Sequence, residues 1–140
     1  MDSDAARALV AGARVARLAT TGLDGRPHVV PLTFALLGDG RIVSAVDHKP
    51  KRTSALRRLA NIAADPRVAL LADHYEEDWS QLWWARADGT ARVVALDADR
   101  ALAAQALGAL AARYPAYAER PPQGPLVVIA VERWSGWRAA

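Results

Sequence analysis

Tight glycine turns bracket three short alternating segments in the first third of the chain, and that pattern points to strands folding back on their neighbours. Arg14–Thr21 alternates Val15, Arg17 and Ala19 against Ala16, Leu18 and Thr20. The turn Leu23-Asp24-Gly25-Arg26 follows, its Asp-Gly pair suited to a hairpin. His28–Leu36 reads as the second strand, and its Pro31 predicts an edge position or a bulge. Gly38-Asp39-Gly40 makes the next turn, and Arg41–Val46 the third strand. A helix precedes them over residues 3–13, capped by Ser3 or Asp2.

The rest of the chain continues in this manner. Pro50–Ala64 has helical spacing, with Ala55, Leu56, Leu59, Ile62 and Ala63 as its expected buried stripe and Asp65-Pro66 ending it. Arg67–Asp73 reads as a strand and His74–Asp78 as an acidic loop. Leu82–Leu96 reads as one bent strand or a hairpin, interrupted at Ala87-Asp88-Gly89. Asp97 is the expected cap of a helix running to Arg113. Tyr114–Pro125, with four prolines, reads as a loop, and Leu126–Trp137 as the last strand. No strand–helix–strand series of the doubly wound kind appears. The expectation is a single α+β domain over 1–140: an antiparallel barrel with a few flanking helices.

Composition removes several chemistries. The chain has no cysteine, which excludes disulfides, a thiol nucleophile and thiolate zinc sites. His28, His48 and His74 are too dispersed for a metal site, and none is expected. No apolar run is long enough to cross a membrane and no leader pattern opens the chain, so a cytoplasmic protein without a membrane partner is expected. The net charge is +3. Arginines are spread along the chain without a helix-turn-helix signal, and no nucleic-acid partner is expected.

The distribution of charge is more informative than its total. Lys49, Lys51, Arg52, Arg57 and Arg58 fall within one short stretch, beside Asp47 and His48 and ahead of Asn61. Arg57 and Arg58 stand four and three residues before Asn61, which predicts a shared face opposite the leucine stripe. Unpaired N–H groups at a helix start favour an anion, and packed like charges call for one. Two readings stand: a phosphate site or a solvated arginine face.

The strand Val15–Thr21 closed by Asp24-Gly25-Arg26-Pro27, then Val29–Phe34, Val43–Val46, the basic helix Lys49–Ala64 and Asp65-Pro66-Arg67-Val68, resembles the pyridoxamine 5′-phosphate oxidase-like superfamily of flavin/deazaflavin oxidoreductases. The resemblance covers nearly the whole chain. His48-Lys49-Pro50-Lys51, Leu56, Leu59, Asn61-Ile62, Trp79 and Trp83-Trp84 are similar to an actinobacterial subfamily dependent on coenzyme F420. The resemblance implies an FMN-binding split barrel, a homodimer with the cofactor between subunits, and hydride transfer from reduced F420 to a small-molecule substrate. FMN is the alternative cofactor, and a non-catalytic flavin- or deazaflavin-binding protein the alternative role. It implies that Val30, Pro31, Leu32 and Thr33 line the ring. It also implies that Arg57 and Arg58, eight or nine residues before Pro66, hold the phosphate with Lys49, Lys51 and Arg52. Oxidases of pyridoxamine phosphate carry a longer tail with Arg and His, and the ending Trp134–Ala140 argues against that activity.

No catalytic triad is evident, as expected where the cofactor carries the chemistry. Trp83 and Trp84 must face opposite sides of a strand. One is expected in the core, the other at a pocket wall or dimer seam, with Trp79 near the cofactor and Trp134 and Trp137 as further seam candidates.

Overall fold

A computed structural model describes residues 1–46 and 54–140. The helix α1 spans Ser3–Gly12, and Asp2 caps it by accepting from the Ala5 N–H at 2.8 Å. Strands β1 (Ala16–Thr21), β2 (Pro27–Leu32), β3 (Ala35–Leu36) and β4 (Ile42–Ala45) follow. Then come α2 (Ser54–Ala64), β5 (Arg67–His74), a 3₁₀ turn Trp79–Gln81 and β6 (Trp83–Val94). The chain ends with α3 (Arg100–Arg113), α4 (Pro115–Glu119) and β7 (Leu126–Arg138). Both early turns form as expected, with Gly25 and Gly40 at positive φ of 84° and 93°. Among the described residues no helix is long and apolar enough to cross a membrane.

All seven strands belong to one antiparallel sheet in the order β2-β1-β5-β6-β7-β4-β3. The two outermost strands are consecutive in sequence, so the sheet curls until its edges meet at Thr33-Phe34. Here the strand beginning at Pro27 leaves β1 and joins β4, two residues after Pro31. Ser44 Oγ donates to the Thr33 carbonyl at 2.8 Å across this break. β2 and β3 have no strand ladder between them among the described residues, so the barrel stays split there. The architecture is an antiparallel split barrel, with four α-helices among the described residues.

Inward residues alternate along β1, β5 and β6: Ala16, Leu18 and Thr20; Val68, Leu70 and Ala72; Ala85, Ala87 and Ala91. Phe34, Ile42 and Ile129 fill the centre, with Ala6 and Val10 of α1 and Ile62 of α2 packed over them. β4 and the first four residues of β7, Leu126–Ile129, are buried on both faces. Their other side meets a second core with Leu102, Ala106 and Leu110 of α3. Residues buried on two faces read as continuous apolar runs, as in Leu126–Ile129.

Several boundaries differ from the sequence reading. The cap of α3 is Asp99, which accepts from the Leu102 N–H at 3.0 Å, while Asp97 precedes it in a turn. Leu82–Leu96 resolves into one long strand, whose register slips against β7 between Asp88 and Gly89. Opposite that step Glu132 of β7 is the extra residue, a bulge that bends the pair. The segment after Tyr114 holds a short helix, because Pro115 occupies its first turn, where proline lacks no needed donor.

Candidate functional site

Helix α2 packs against β1 and β6 and turns a polar side toward β1. Asn61 is 1% exposed, and its amide donates to the Thr20 hydroxyl at 3.0 Å. His28 Nδ1 lies 3.5 Å from the same hydroxyl. Arg58 is 8% exposed, and its Nε finds no hydrogen-bond partner among the described residues. Burial lowers the Arg58 pKa from the usual arginine value, and the Tyr117 hydroxyl acts in the opposite direction. The expected leucine stripe is therefore corrected. Ile62 is buried and Leu59 partly so, whereas Leu56 and Ala63 are exposed. Ala55's side chain lies outside the described residues. The physical reason is that Thr20 and His28 give this part of the barrel wall a hydrogen-bonding character that a purely apolar helix face would leave unsatisfied.

Arg57 and Arg58 consequently diverge. Arg58 turns inward on the side of α4, whose Tyr117 hydroxyl bonds the Thr33 hydroxyl at 2.7 Å. Arg57 is exposed and lines a cleft of about 480 Å³ between α2 and the β1–β2 turn. The exit of α2 is held by Asp65, which takes the Arg67 guanidinium through Nε (3.0 Å) and Nη2 (2.7 Å). Those bonds hold the Asp65 pKa down at about 2.

The other candidates separate as follows. Val30 and Leu32 face the barrel interior, Leu32 within the main core, so their side chains are committed to packing. Pro31 is exposed on the opposite face, across from Arg17. Thr33 sits at the strand break, with its hydroxyl and carbonyl bonded to Tyr117 and Ser44. Trp83 and Trp134 each pack against the core, and Trp84 pairs across strands with Trp137 on the outer face. Trp79 is 75% exposed in the 3₁₀ turn. Asp47, His48, Lys49, Lys51 and Arg52 lie outside the described residues. Sequence reasoning gave no role to Tyr114 and Tyr117, which brace the strand break, nor to Arg26 in the cleft. A turn arginine and two tyrosines beside prolines carry no local signal for those positions.

The described residues hold no group of His, Asp and Glu arranged for a metal ion. What the arrangement offers is a buried guanidinium on the side of Tyr117, whose hydroxyl meets Thr33 at the strand break. The orphaned Arg58 Nε is the feature that fits a phosphate-bearing cofactor.

The fold recurs widely. A conserved hypothetical protein of Mycobacterium tuberculosis is 22% identical with a TM-score of 0.77, over 99% of this chain and 85% of that one. A heme-binding protein of Mycobacterium smegmatis is 23% identical with a TM-score of 0.77, over 98% of this chain; this chain spans only 54% of that protein. An FAD-binding protein of Mesorhizobium loti is 20% identical with a TM-score of 0.73, over 97% and 94% of the two chains. At such identities the likeness establishes the fold. No curated protein matches the sequence. The profile of the pyridoxamine 5′-phosphate oxidase family matches residues 3–138, from the first helix through the last strand. With the curled barrel and the α2 arrangement in place along that whole span, the chain belongs to the pyridoxamine 5′-phosphate oxidase family.

Proposed function

We propose that the protein is an F420-dependent oxidoreductase that passes hydride from the reduced deazaflavin to a small organic acceptor. The observation that carries this reading is the buried Arg58, a guanidinium whose Nε has no partner among the described residues, on the helix that follows the basic segment. A buried cation without full compensation is costly, and a phosphate oxygen would supply what is missing. The FAD-binding protein of Mesorhizobium loti shares this fold and supports a flavin-type cofactor. The five basic residues between Lys49 and Arg58 and the resemblance to the F420-dependent subfamily favour the more anionic deazaflavin over FMN. When bound, the deazaflavin supplies the hydride chemistry. The chain's own part is to hold the phosphate, orient the ring and exclude water. Titrating the protein with F420 and with FMN, followed by quenching of the five tryptophans, tests the choice. F420 is expected to bind more tightly; equal or tighter FMN binding would establish an FMN protein instead.

The same reading includes a homodimer. The outer face of the sheet presents the Trp84–Trp137 pair, with Leu71 and the exposed Val29. Arg17–Asp73 (3.8 Å) and Arg86–Asp88 (3.1 Å) give this face both signs of charge. A two-fold axis would set this face against its own copy and cover its apolar residues. Light scattering is expected to give twice the chain mass at micromolar concentration. A stable monomer that still binds cofactor would contradict it.

A further inference from the structure

We propose that the cleft between the β1–β2 turn and α2 is a binding site for a carboxylate carried on an apolar body, separate from the anion position at Arg58. Its volume of about 480 Å³ suits a small molecule, since such pockets run to roughly 300–1,000 Å³. Two guanidiniums come from different elements, Arg26 from the turn and Arg57 from α2. Among the described residues Arg57 has no carboxylate partner, and Arg26 meets only Asp24, at 3.9 Å.

The floor is already satisfied and fixed. Asn61 donates to Thr20, and His28 stands against the same hydroxyl. The turn is also fixed, because Gly22 N–H donates to the Arg26 carbonyl at 2.8 Å and the Arg26 N–H to Asp24 Oδ1 at 3.0 Å. A Cβ at Gly22 would meet that carbonyl at 2.7 Å, so the close approach depends on glycine. The floor and the turn backbone are thus held in place beneath two guanidiniums, Arg57 without a carboxylate partner among the described residues and Arg26 facing Asp24 at 3.9 Å.

Charge selects the ligand class. Arg26 and Arg57 against Asp24 leave one net positive charge in the lining, which a single carboxylate neutralises. The planar guanidinium fork also matches carboxylate geometry. Leu23, Pro27 and Ala60 supply apolar wall for the body that bears it. Such a carboxylate has two sources: the glutamate tail of a deazaflavin cofactor, or an acid that is itself the substrate. The site stands on the cleft alone and does not depend on which ring cofactor the protein uses.

The experiment uses the full chain and two probes, γ-linked triglutamate for the tail and 3-phenylpropionate for an apolar acid. The imidazole NMR signal of His28, one of three histidines and assigned with His28→Gln, reports occupancy. At least one probe is expected to shift the His28 signal saturably. Arg26→Ala and Arg57→Ala are each expected to weaken that probe about tenfold or more, the ratio produced by roughly 1.4 kcal/mol. Arg100→Ala, at the start of α3 and outside the cleft, should leave the affinity unchanged. Response to triglutamate identifies the tail, and response to phenylpropionate identifies the substrate. Failure of both probes to move His28, or unaltered affinity in both Arg26→Ala and Arg57→Ala, overturns the proposal. Neither result bears on the choice between F420 and FMN.

Discussion

Gly89→Ala is expected to lower the melting temperature by about 10 °C, while Gly108→Ala raises it slightly. A Cβ at Gly89 would stand 2.2 Å from the Ala130 carbonyl oxygen and 3.1 Å from the Val131 Cα, both backbone atoms of the neighbouring strand. Neither can swing aside as a side chain does, so β6 and β7 must separate where the Glu132 bulge already bends them. Overpacking of this kind costs about 1–3 kcal/mol or more, and each kcal/mol moves the transition by roughly 2–8 °C depending on domain size. Gly108 sits exposed in α3 with open space around its would-be Cβ. Alanine there gains about 0.5–1 kcal/mol from helix propensity. Thermal unfolding followed by circular dichroism checks both signs. A Gly89→Ala protein melting within 2–3 °C of the parent would mean that the two strands are not in this close register.

Arg113→Ala is expected to cost about 2–4 kcal/mol, with Arg113→Lys recovering less than half. The guanidinium donates to the carbonyls of Ala11 and Ala13 at the end of α1. It also lies over the Phe34 ring at 5.3 Å and the Tyr114 ring at 5.5 Å. One side chain thus ties α1, α3 and the strand break together. Bonds from a charged donor contribute about 1.5–3 kcal/mol each, and a cation over an aromatic ring roughly 0.5–2. The parts are not additive, because the freed carbonyls take water. Lysine keeps the charge but cannot span two carbonyls with a planar fork. Urea unfolding of the two variants gives the numbers. Unchanged midpoints in both would show that α1 is held by its apolar face alone.

The barrel was legible because hairpin turns and period-two alternation are local signals. Asp24-Gly25 and Gly38-Asp39-Gly40 announce their turns, and the strands between them alternate as half-buried strands do. The exact place of the split was not legible, since it depends on one chain segment serving both edges of the sheet. Pro31 marked the region of the break. Tyr114 and Tyr117, which secure it from some 80 residues away, left no trace in the sequence pattern. The short helix after Tyr114 was hidden because four prolines suggest a breaker, although Pro115 is a starter in its actual position.

The candidate site was legible as charge and not as direction. The basic stretch before Asn61 marked α2, but spacing put Arg57, Arg58 and Asn61 on one outward face. The leucine stripe drove that expectation, since periodicity assumes that apolar residues choose the buried side. In the fold the polar residues Thr20 and His28 draw Asn61 inward, and Arg58 follows on the same face while Arg57 remains outside. Tertiary hydrogen bonding overrode the local pattern. Val30 and Leu32 likewise have their inward direction set by register with Leu18 and Ala16, a pairing that the segment alone does not contain.

The central claim is that Arg58 holds the anionic group of a deazaflavin cofactor, and the most direct measurement is the F420 affinity of Arg58→Ala and Arg58→Lys beside the parent. Tryptophan quenching gives the dissociation constants, and circular dichroism confirms that each variant is folded. Loss of a well-placed charged bond of about 1.5–3 kcal/mol should weaken binding roughly tenfold to a hundredfold in Arg58→Ala. Arg58→Lys, which keeps the charge as a single donor, should fall between that variant and the parent. A folded Arg58→Ala that binds F420 as the parent does would contradict the account and leave Arg58 a structural residue of α2.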